Sequence, residues 1–82
     1  MRLDFSPHFA RSYKKAPKVI QAAFDKQAAL LLEDLRHPSL RAKKYDEGKD
    51  LWQARVTKGW RFYFKIAGDT YQLEEVKAHP KK

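Results

Sequence analysis

Three segments of alternating apolar and polar residues follow one another in the second half of the chain, separated only by short turns. The turns contain Lys58-Gly59 and Gly68-Asp69, which are residue pairs typical of tight connections between strands. Strands joined so closely must run antiparallel, because a parallel pair needs a long crossover. The sequence therefore predicts an antiparallel three-stranded unit, made of residues 51–57, 60–66 and 70–78.

Alternation also divides the side chains of the first two strands between two faces of the sheet. The apolar residues predict a buried face formed by Trp52, Ala54, Val56, Trp60, Phe62, Phe64 and Ile66. The polar residues predict an outward face formed by Gln53, Arg55, Thr57, Arg61, Tyr63 and Lys65. The third strand alternates less regularly, and Glu74-Glu75 indicates a bulge or a sheet edge.

The first half of the chain has the signals of one short strand and two helices. Residues 2–5 alternate, and Ser6-Pro7 then supplies a helix cap and a first-turn proline. A second helix begins near Lys18 and carries an apolar stripe with helical spacing, formed by Ile20, Phe24, Ala28, Leu31 and Leu35. Residues 39–50 are polar and are predicted to form a loop. The expected fold is α+β, in the order β-α-α-β-β-β, with two helices on one face of a four-stranded, mainly antiparallel sheet.

Composition limits the partners of such a domain. The 82 residues are expected to form a single domain, 1–82, and 18 Lys and Arg against 10 Asp and Glu give a net charge of +8. Nucleic acid is the natural partner of this charge, although an acidic protein fits equally well. Without cysteine, and with three histidines that lack ligand spacing, the chain is expected to need no metal or cofactor. It has neither a membrane-length apolar run nor a signal-like N-terminus, so a cytoplasmic location is expected.

Four strings, HPSLRAKKY, LWQARV, WRFYFKIAGD and VKAH, occur in this order along the chain. Together they resemble the RelE/ParE superfamily of bacterial toxins from type II toxin-antitoxin systems, most closely its RelE, YoeB and HigB branches. The resemblance extends over essentially the whole chain. It implies a RelE-like fold and a ribosome-dependent endoribonuclease, an mRNA interferase that cuts mRNA in the decoding site. It also implies a small cognate antitoxin, which should be acidic because the toxin is basic.

The resemblance also suggests roles for individual residues. Arg61 matches an arginine that would bind the scissile phosphate, and Arg55 matches the arginine after the strand tryptophan. Lys43 and Lys44 resemble basic loop residues that bind RNA or assist proton transfer. His79 matches a histidine at the end of the last strand. The chain departs from the pattern at the next position, where relatives have a tyrosine and this sequence has proline.

Metal-free RNA cleavage needs a base for the 2′-hydroxyl, cations for the charge that develops at phosphorus, and an acid for the leaving oxygen. His79 is the candidate acid or base and Arg61 the stabilising cation. Lys44 or Glu47 is the candidate second proton carrier, with Asp46 in the same region. RNA is expected to contact Arg55, Lys43, Tyr63 and Lys65, with a base stacked on the tyrosine. His8 and His37 are interpreted as helix-end residues.

Two other functions share the predicted fold. One is that of a ParE-like toxin, which inhibits gyrase by binding and without catalysis. The other is that of an inactive relative that only binds an antitoxin or nucleic acid, for which the missing tyrosine would be a signature. The combination of Arg61 and His79 favours the nuclease, because ParE-like toxins generally lack the catalytic set.

Overall fold

The computed structural model describes residues 1–79, so Pro80 and the basic tail Lys81-Lys82 lie outside the described part. It has two helices and five strands, in the order β1 (Arg2–Phe5), α1 (Pro7–Lys15), α2 (Lys18–Glu33), β2 (Lys43–Asp46), β3 (Leu51–Thr57), β4 (Trp60–Ala67) and β5 (Thr70–Ala78). The predicted α+β class, with both helices against a mainly antiparallel sheet, is confirmed.

The sheet has five strands in the order β1-β5-β4-β3-β2, where four were expected. The additional strand, β2, lies within the segment predicted as a loop and pairs antiparallel with β3. Its sequence KKYD has no alternation of apolar and polar residues, which is why the pattern gave no strand signal. A lysine-rich strand suits this edge position, because charged side chains discourage pairing with other chains.

The core lies between the helices and one face of the sheet. The ring of Phe24 on α2 meets that of Phe62 on β4 edge-on, with 5.1 Å between the ring centres. Phe62 and Phe64 are fully buried, and Phe9 on α1 joins the same cluster. Each buried phenylalanine contributes about 1.5–3 kcal/mol relative to an exposed one. The helices thus occupy one face of the sheet, and we call the opposite face the open face.

Helix α1 covers an edge of β5 that β1 leaves free. β1 runs parallel to β5 but pairs only with Thr70 to Leu73. Beyond that point, Ser6 N donates to Leu73 O at 3.1 Å, and Val76 N donates to Ser12 Oγ at 3.1 Å. Ser6 also caps the helix, because its Oγ accepts a hydrogen bond from Phe9 N at 3.0 Å. The first turn of α1 is therefore fixed beside the central part of β5.

The irregularity predicted near Glu74-Glu75 is a β-bulge inside the sheet. Tyr63 pairs with Glu75 and Phe64 pairs with Leu73, which leaves Glu74 as the extra residue. β5 lies between β1 and β4, so this part of the sequence is not an edge strand. After the bulge, side chains alternate regularly between the two faces from Glu75 to the end of β5 at Ala78.

Candidate functional site

Three cations lie in one row across the open face. Arg55 of β3 is paired with Arg61 of β4, which is paired with Lys77 of β5. Directly paired residues of neighbouring strands point to the same face, so the three side chains share it. We call these residues the cationic row. The sequence predicted its first two members, but the bulge in β5 concealed Lys77.

Arg55 is held in a partly desolvated position that suits an anion. Burial is the main cause that lowers the pKa of its guanidinium, and the nearby charges of Arg41 and Arg61 lower it further. Its Nε is buried and has no hydrogen-bond partner among residues 1–79. Because partial desolvation of a charge is unfavourable, a nearby anion such as a phosphate would stabilise this guanidinium.

Arg61 is fixed by the turn between β3 and β4. Its Nη1 donates to three carbonyl oxygens, at 2.8 Å to Thr57 O, 3.1 Å to Lys58 O and 3.0 Å to Trp60 O. Within the described chain, its Nε and Nη2 make no hydrogen bond. One side of the guanidinium therefore orients the group, and the other side can donate to a bound anion.

His79 is held by the same turn. Its backbone N donates to Gly59 O at 2.8 Å, immediately after β5 ends at Ala78. Alternation along this part of β5 places Glu75, Lys77 and His79 on the open face, and His79 is exposed. The structure therefore brings Arg61 and His79 to the same turn at one end of that face.

The next row on the open face contains a buried aromatic residue. It crosses the sheet from β2 to β5, because Lys43 pairs with Gln53, Gln53 with Tyr63, and Tyr63 with Glu75. Burial is the main cause that raises the pKa of Tyr63, with Tyr45 and Glu75 adding to the effect and Arg61 opposing it. The phenol is therefore neutral at physiological pH.

The prediction that Tyr63 offers its ring to a base is wrong. Only 5% of Tyr63 is exposed. The ring of Tyr45 packs edge-on against it, with 5.1 Å between the ring centres, and Lys77 Nζ lies 5.5 Å from the centre of the Tyr63 ring. Tyr45 is 56% exposed and is the accessible aromatic residue of this face. No sequence signal indicated its position, because β2 lacks the alternation of a strand and was predicted as a loop. Lys65 is partly exposed and lines a groove on the open face together with Tyr45 and Tyr63.

Lys44 and Glu47 do not reach the open face. Lys44 is paired with Trp52 on the helix-covered face, where its Nζ lies 5.4 Å from the indole ring and 2.8 Å from Asp50 Oδ1. Glu47 lies 3.9 Å from Lys44 Nζ with its side chain 86% exposed. The expectation that Lys44 approaches the open face beside Lys43 is wrong, because neighbouring residues of a strand point to opposite faces.

A histidine that the sequence did not single out lies on the open face. His8, in the first turn of α1, places Nε2 3.3 Å from Glu75 Oε2. Both side chains are accessible, with 60% of His8 and 33% of Glu75 exposed. They border a groove of about 280 Å³ together with Tyr45, Tyr63 and Lys77. No sequence signal joins these residues, because their contact depends on the docking of α1 against β5.

The arrangement combines fixed cations with titratable groups. A phosphate bound at the cationic row would have His79 at one side and the His8–Glu75 pair at the other. Residues 1–79 contain no group of three or more His, Cys, Asp or Glu side chains that could hold a metal ion. No helix in the described range is long and apolar enough to cross a membrane.

No protein-family model matches the sequence, and no curated protein matches it significantly. Solved structures do match. The YoeB/ParE toxin of Agrobacterium tumefaciens is 12% identical with a TM-score of 0.80, covering 98% of this chain and 100% of that one. RelE in the RelE–RelB complex of Pyrococcus horikoshii OT3 is 15% identical with a TM-score of 0.79, covering 99% and 97%. YafQ of E. coli BL21(DE3) is 16% identical with a TM-score of 0.77, covering 94% and 91%.

These matches show that the chain has the fold of RelE, YoeB and YafQ toxins, over nearly the full length of both proteins. The fold implied by the sequence resemblance is therefore confirmed. Several of the matching chains were solved in complexes with antitoxins, including YoeB–YefM of Staphylococcus aureus and DinJ–YafQ of E. coli.

Proposed function

We propose that this protein is the toxin of a type II toxin-antitoxin system and an endoribonuclease that cuts mRNA on the ribosome. The observation that carries the proposal is the cationic row, which lies on the open face of a RelE-like fold. Three adjacent cations without an acidic partner in the same row would bind a phosphate backbone. The net charge of +8 supports the same class of partner.

Cleavage would use the 2′-hydroxyl of the RNA as the nucleophile and would require no metal ion. Arg61 would bind the scissile phosphate and stabilise the charge that develops on its oxygens, because its position is fixed before the substrate arrives. Arg55 would contribute a second positive charge to the same phosphate or its neighbour. His79, at the end of the row, would transfer a proton.

The face beside the row would position the RNA strand. Lys43 is exposed on β2, and Lys65 borders the groove from β4. Tyr45 would stack on a nucleobase, since its ring is accessible and that of Tyr63 is covered. This assignment moves the stacking role from the predicted tyrosine to its neighbour.

An acidic antitoxin is the proposed protein partner, and the cytoplasm is the proposed location. The solved complexes of similar fold contain an antitoxin with its toxin. An acidic segment placed on the open face would neutralise the cations that RNA would otherwise contact. Inhibition would then follow from competition for the same surface.

The test is cleavage of mRNA on programmed ribosomes, mapped by primer extension. We expect the wild type to cut within the decoding-site codon and Arg61→Ala to lose about 100-fold or more in rate. Arg36→Ala is the matched control, because Arg36 is exposed in the turn after α2 and outside the cationic row. Inhibition of gyrase without mRNA cleavage would instead indicate a ParE-like function, and ribosome binding without cleavage would indicate an inactive relative.

A further inference from the structure

His8 and Glu75 form a titratable pair on the open face. His8 Nε2 lies 3.3 Å from Glu75 Oε2, so the carboxylate lies on the Nε2 side of the imidazole. This contact leaves Nδ1 of His8 free to accept a proton. The second residue of α1 is thus placed beside a carboxylate of β5. An imidazole and a carboxylate in this arrangement are typical of a general base with its positioning residue.

The pair lies on the other side of the cationic row from His79. Glu75 and Lys77 point to the open face from alternate positions of β5, about 6.5–7 Å apart along the strand, and His79 follows directly after Ala78 with its backbone N bound to Gly59 O. Lys77 is paired with Arg61, so these two cations lie between the His8–Glu75 pair and His79. A phosphate bound by Lys77 and Arg61 would therefore be flanked by an imidazole on each side.

This geometry fits the requirement of in-line RNA cleavage. The attacking 2′-oxygen and the leaving 5′-oxygen lie on opposite sides of phosphorus, so the base and the acid must also approach from opposite sides. Lys44 and Glu47, the expected second proton carriers, lie away from this face. Of the titratable side chains in the described groove, His8 is the one that lies within 3.3 Å of a carboxylate oxygen.

We propose that His8 is the second catalytic residue of the cleavage and that Glu75 positions it; this inference rests on the proposed nuclease function. His8 Nδ1 takes the proton of the 2′-hydroxyl while the 2′-oxygen forms a bond to phosphorus. The bond from phosphorus to the 5′-oxygen breaks, and protonated His79 gives its proton to that oxygen. The products are a 2′,3′-cyclic phosphate and a 5′-hydroxyl end. Glu75 stabilises the imidazolium that forms on His8.

The charges around His8 come from three directions. Glu74, Glu75 and Lys77 face it from β5, Lys15 from its own helix, and Lys65 and Lys49 from the far wall of the groove. The phenols of Tyr45 and Tyr63 complete that wall. The His8–Glu75 contact is therefore one part of a mixed cluster of carboxylates, ammonium groups and phenols.

The experiment is single-turnover cleavage on programmed ribosomes, with ribosome and RNA binding measured separately. We expect His8→Gln to cleave at least about 100-fold more slowly at neutral pH, with binding changed less than twofold. Glu75→Gln should show a smaller loss. Free imidazole should partly restore cleavage by His8→Ala, which a purely structural role for His8 would not allow. His37→Gln is the matched control.

The outcomes separate this inference from the proposed function. If the wild type cleaves, Arg61→Ala does not and His8→Gln cleaves at the wild-type rate, the role of His8 is refuted and the nuclease function stands. A loss in His8→Gln that is explained by weaker RNA binding, with no rescue by imidazole, also refutes it. If the wild type does not cleave, both proposals are refuted together.

Discussion

Arg61 and His79 are bound to adjacent carbonyl groups of one turn. Arg61 Nη1 donates to Lys58 O at 3.1 Å, and the His79 backbone N donates to Gly59 O at 2.8 Å. The turn therefore sets the distance between the cation and the terminal imidazole. Two neighbouring peptide groups of the turn thus hold Arg61 and His79 together, although the two residues are far apart in sequence. The turn does this through backbone carbonyl groups alone.

Arg61→Lys should separate the structural role of Arg61 from its charge. Lysine keeps the positive charge but lacks the planar guanidinium that donates to the three carbonyl oxygens. The free energy of unfolding should therefore fall by about 1 kcal/mol. Urea denaturation measures this change, and Arg36→Lys provides the control. Unchanged stability together with full cleavage would show that the three hydrogen bonds do not organise the turn.

Ser6→Ala should loosen the first turn of α1. Loss of the cap at Phe9 N should lower the free energy of unfolding by about 1 kcal/mol. His8 lies in that turn, so RNA cleavage should fall as well. Ser6→Thr, which keeps the hydroxyl, should remain close to the wild type in both urea denaturation and cleavage. Equal behaviour of the two variants would refute the capping role.

Lys77→Gln should weaken RNA binding in a salt-dependent manner. If Lys77 contacts a phosphate, its removal should lower the slope of log K against log salt concentration by about 1. Fluorescence anisotropy with a short single-stranded RNA measures the slope. Lys14→Gln removes one charge from α1 outside the cationic row and should leave the slope nearly unchanged. Identical slopes for the two variants would indicate only a diffuse charge effect.

Asp50→Asn should change the acid stability of the protein. The hydrogen bond from Lys44 is the main cause that lowers the pKa of Asp50, and the same contact raises the pKa of Lys44. The contribution of Asp50 is present above its unfolded pKa of about 3.8, is lost as pH falls through the lower folded pKa, and vanishes at strongly acidic pH. On the alkaline side it disappears as Lys44 loses its proton above pH 10.5.

Urea denaturation at pH 7 and pH 2 measures this difference. Asn is the substitution of choice because it tolerates the positive φ of 56° at position 50. At pH 7 the variant should be less stable than the wild type, and at pH 2 the two should be equal. Asp4→Asn, at an exposed site on β1, is the control. A difference that persists unchanged at pH 2 would mean that the ion pair is not its source.

The antiparallel unit β3-β4-β5 was predictable because its signals are local. Alternation assigned Arg55 and Arg61 to the same face, and the turn at Gly68 has the positive φ of 60° that glycine permits. β2 was not predictable from alternation, because its sequence is polar throughout and its pairing depends on the free edge of β3. The opposite directions of Lys43 and Lys44 follow only once that pairing is known.

The remaining parts of the candidate site depend on contacts between distant segments. Lys77 follows a bulge, which shifts the alternation of β5 by one residue. The approach of His8 to Glu75 requires the parallel pairing of β1 with β5 and the docking of Ser6 and Ser12 on the strand edge. The burial of Tyr63 requires Tyr45 from a strand that the sequence did not reveal.

The parallel pairing of β1 with β5 also determines when the open face can form during synthesis. β5 is synthesised after all the other elements of the described sheet, and both β1 and β4 need it as a neighbour. Contacts between such distant segments form late and slowly in folding. A nascent chain that lacks β5 has no Lys77, no Glu75 and no His79 beside Arg61. The proposed nuclease face therefore assembles only once residues 70–79 are available, although its cations on β3 and β4 are synthesised earlier.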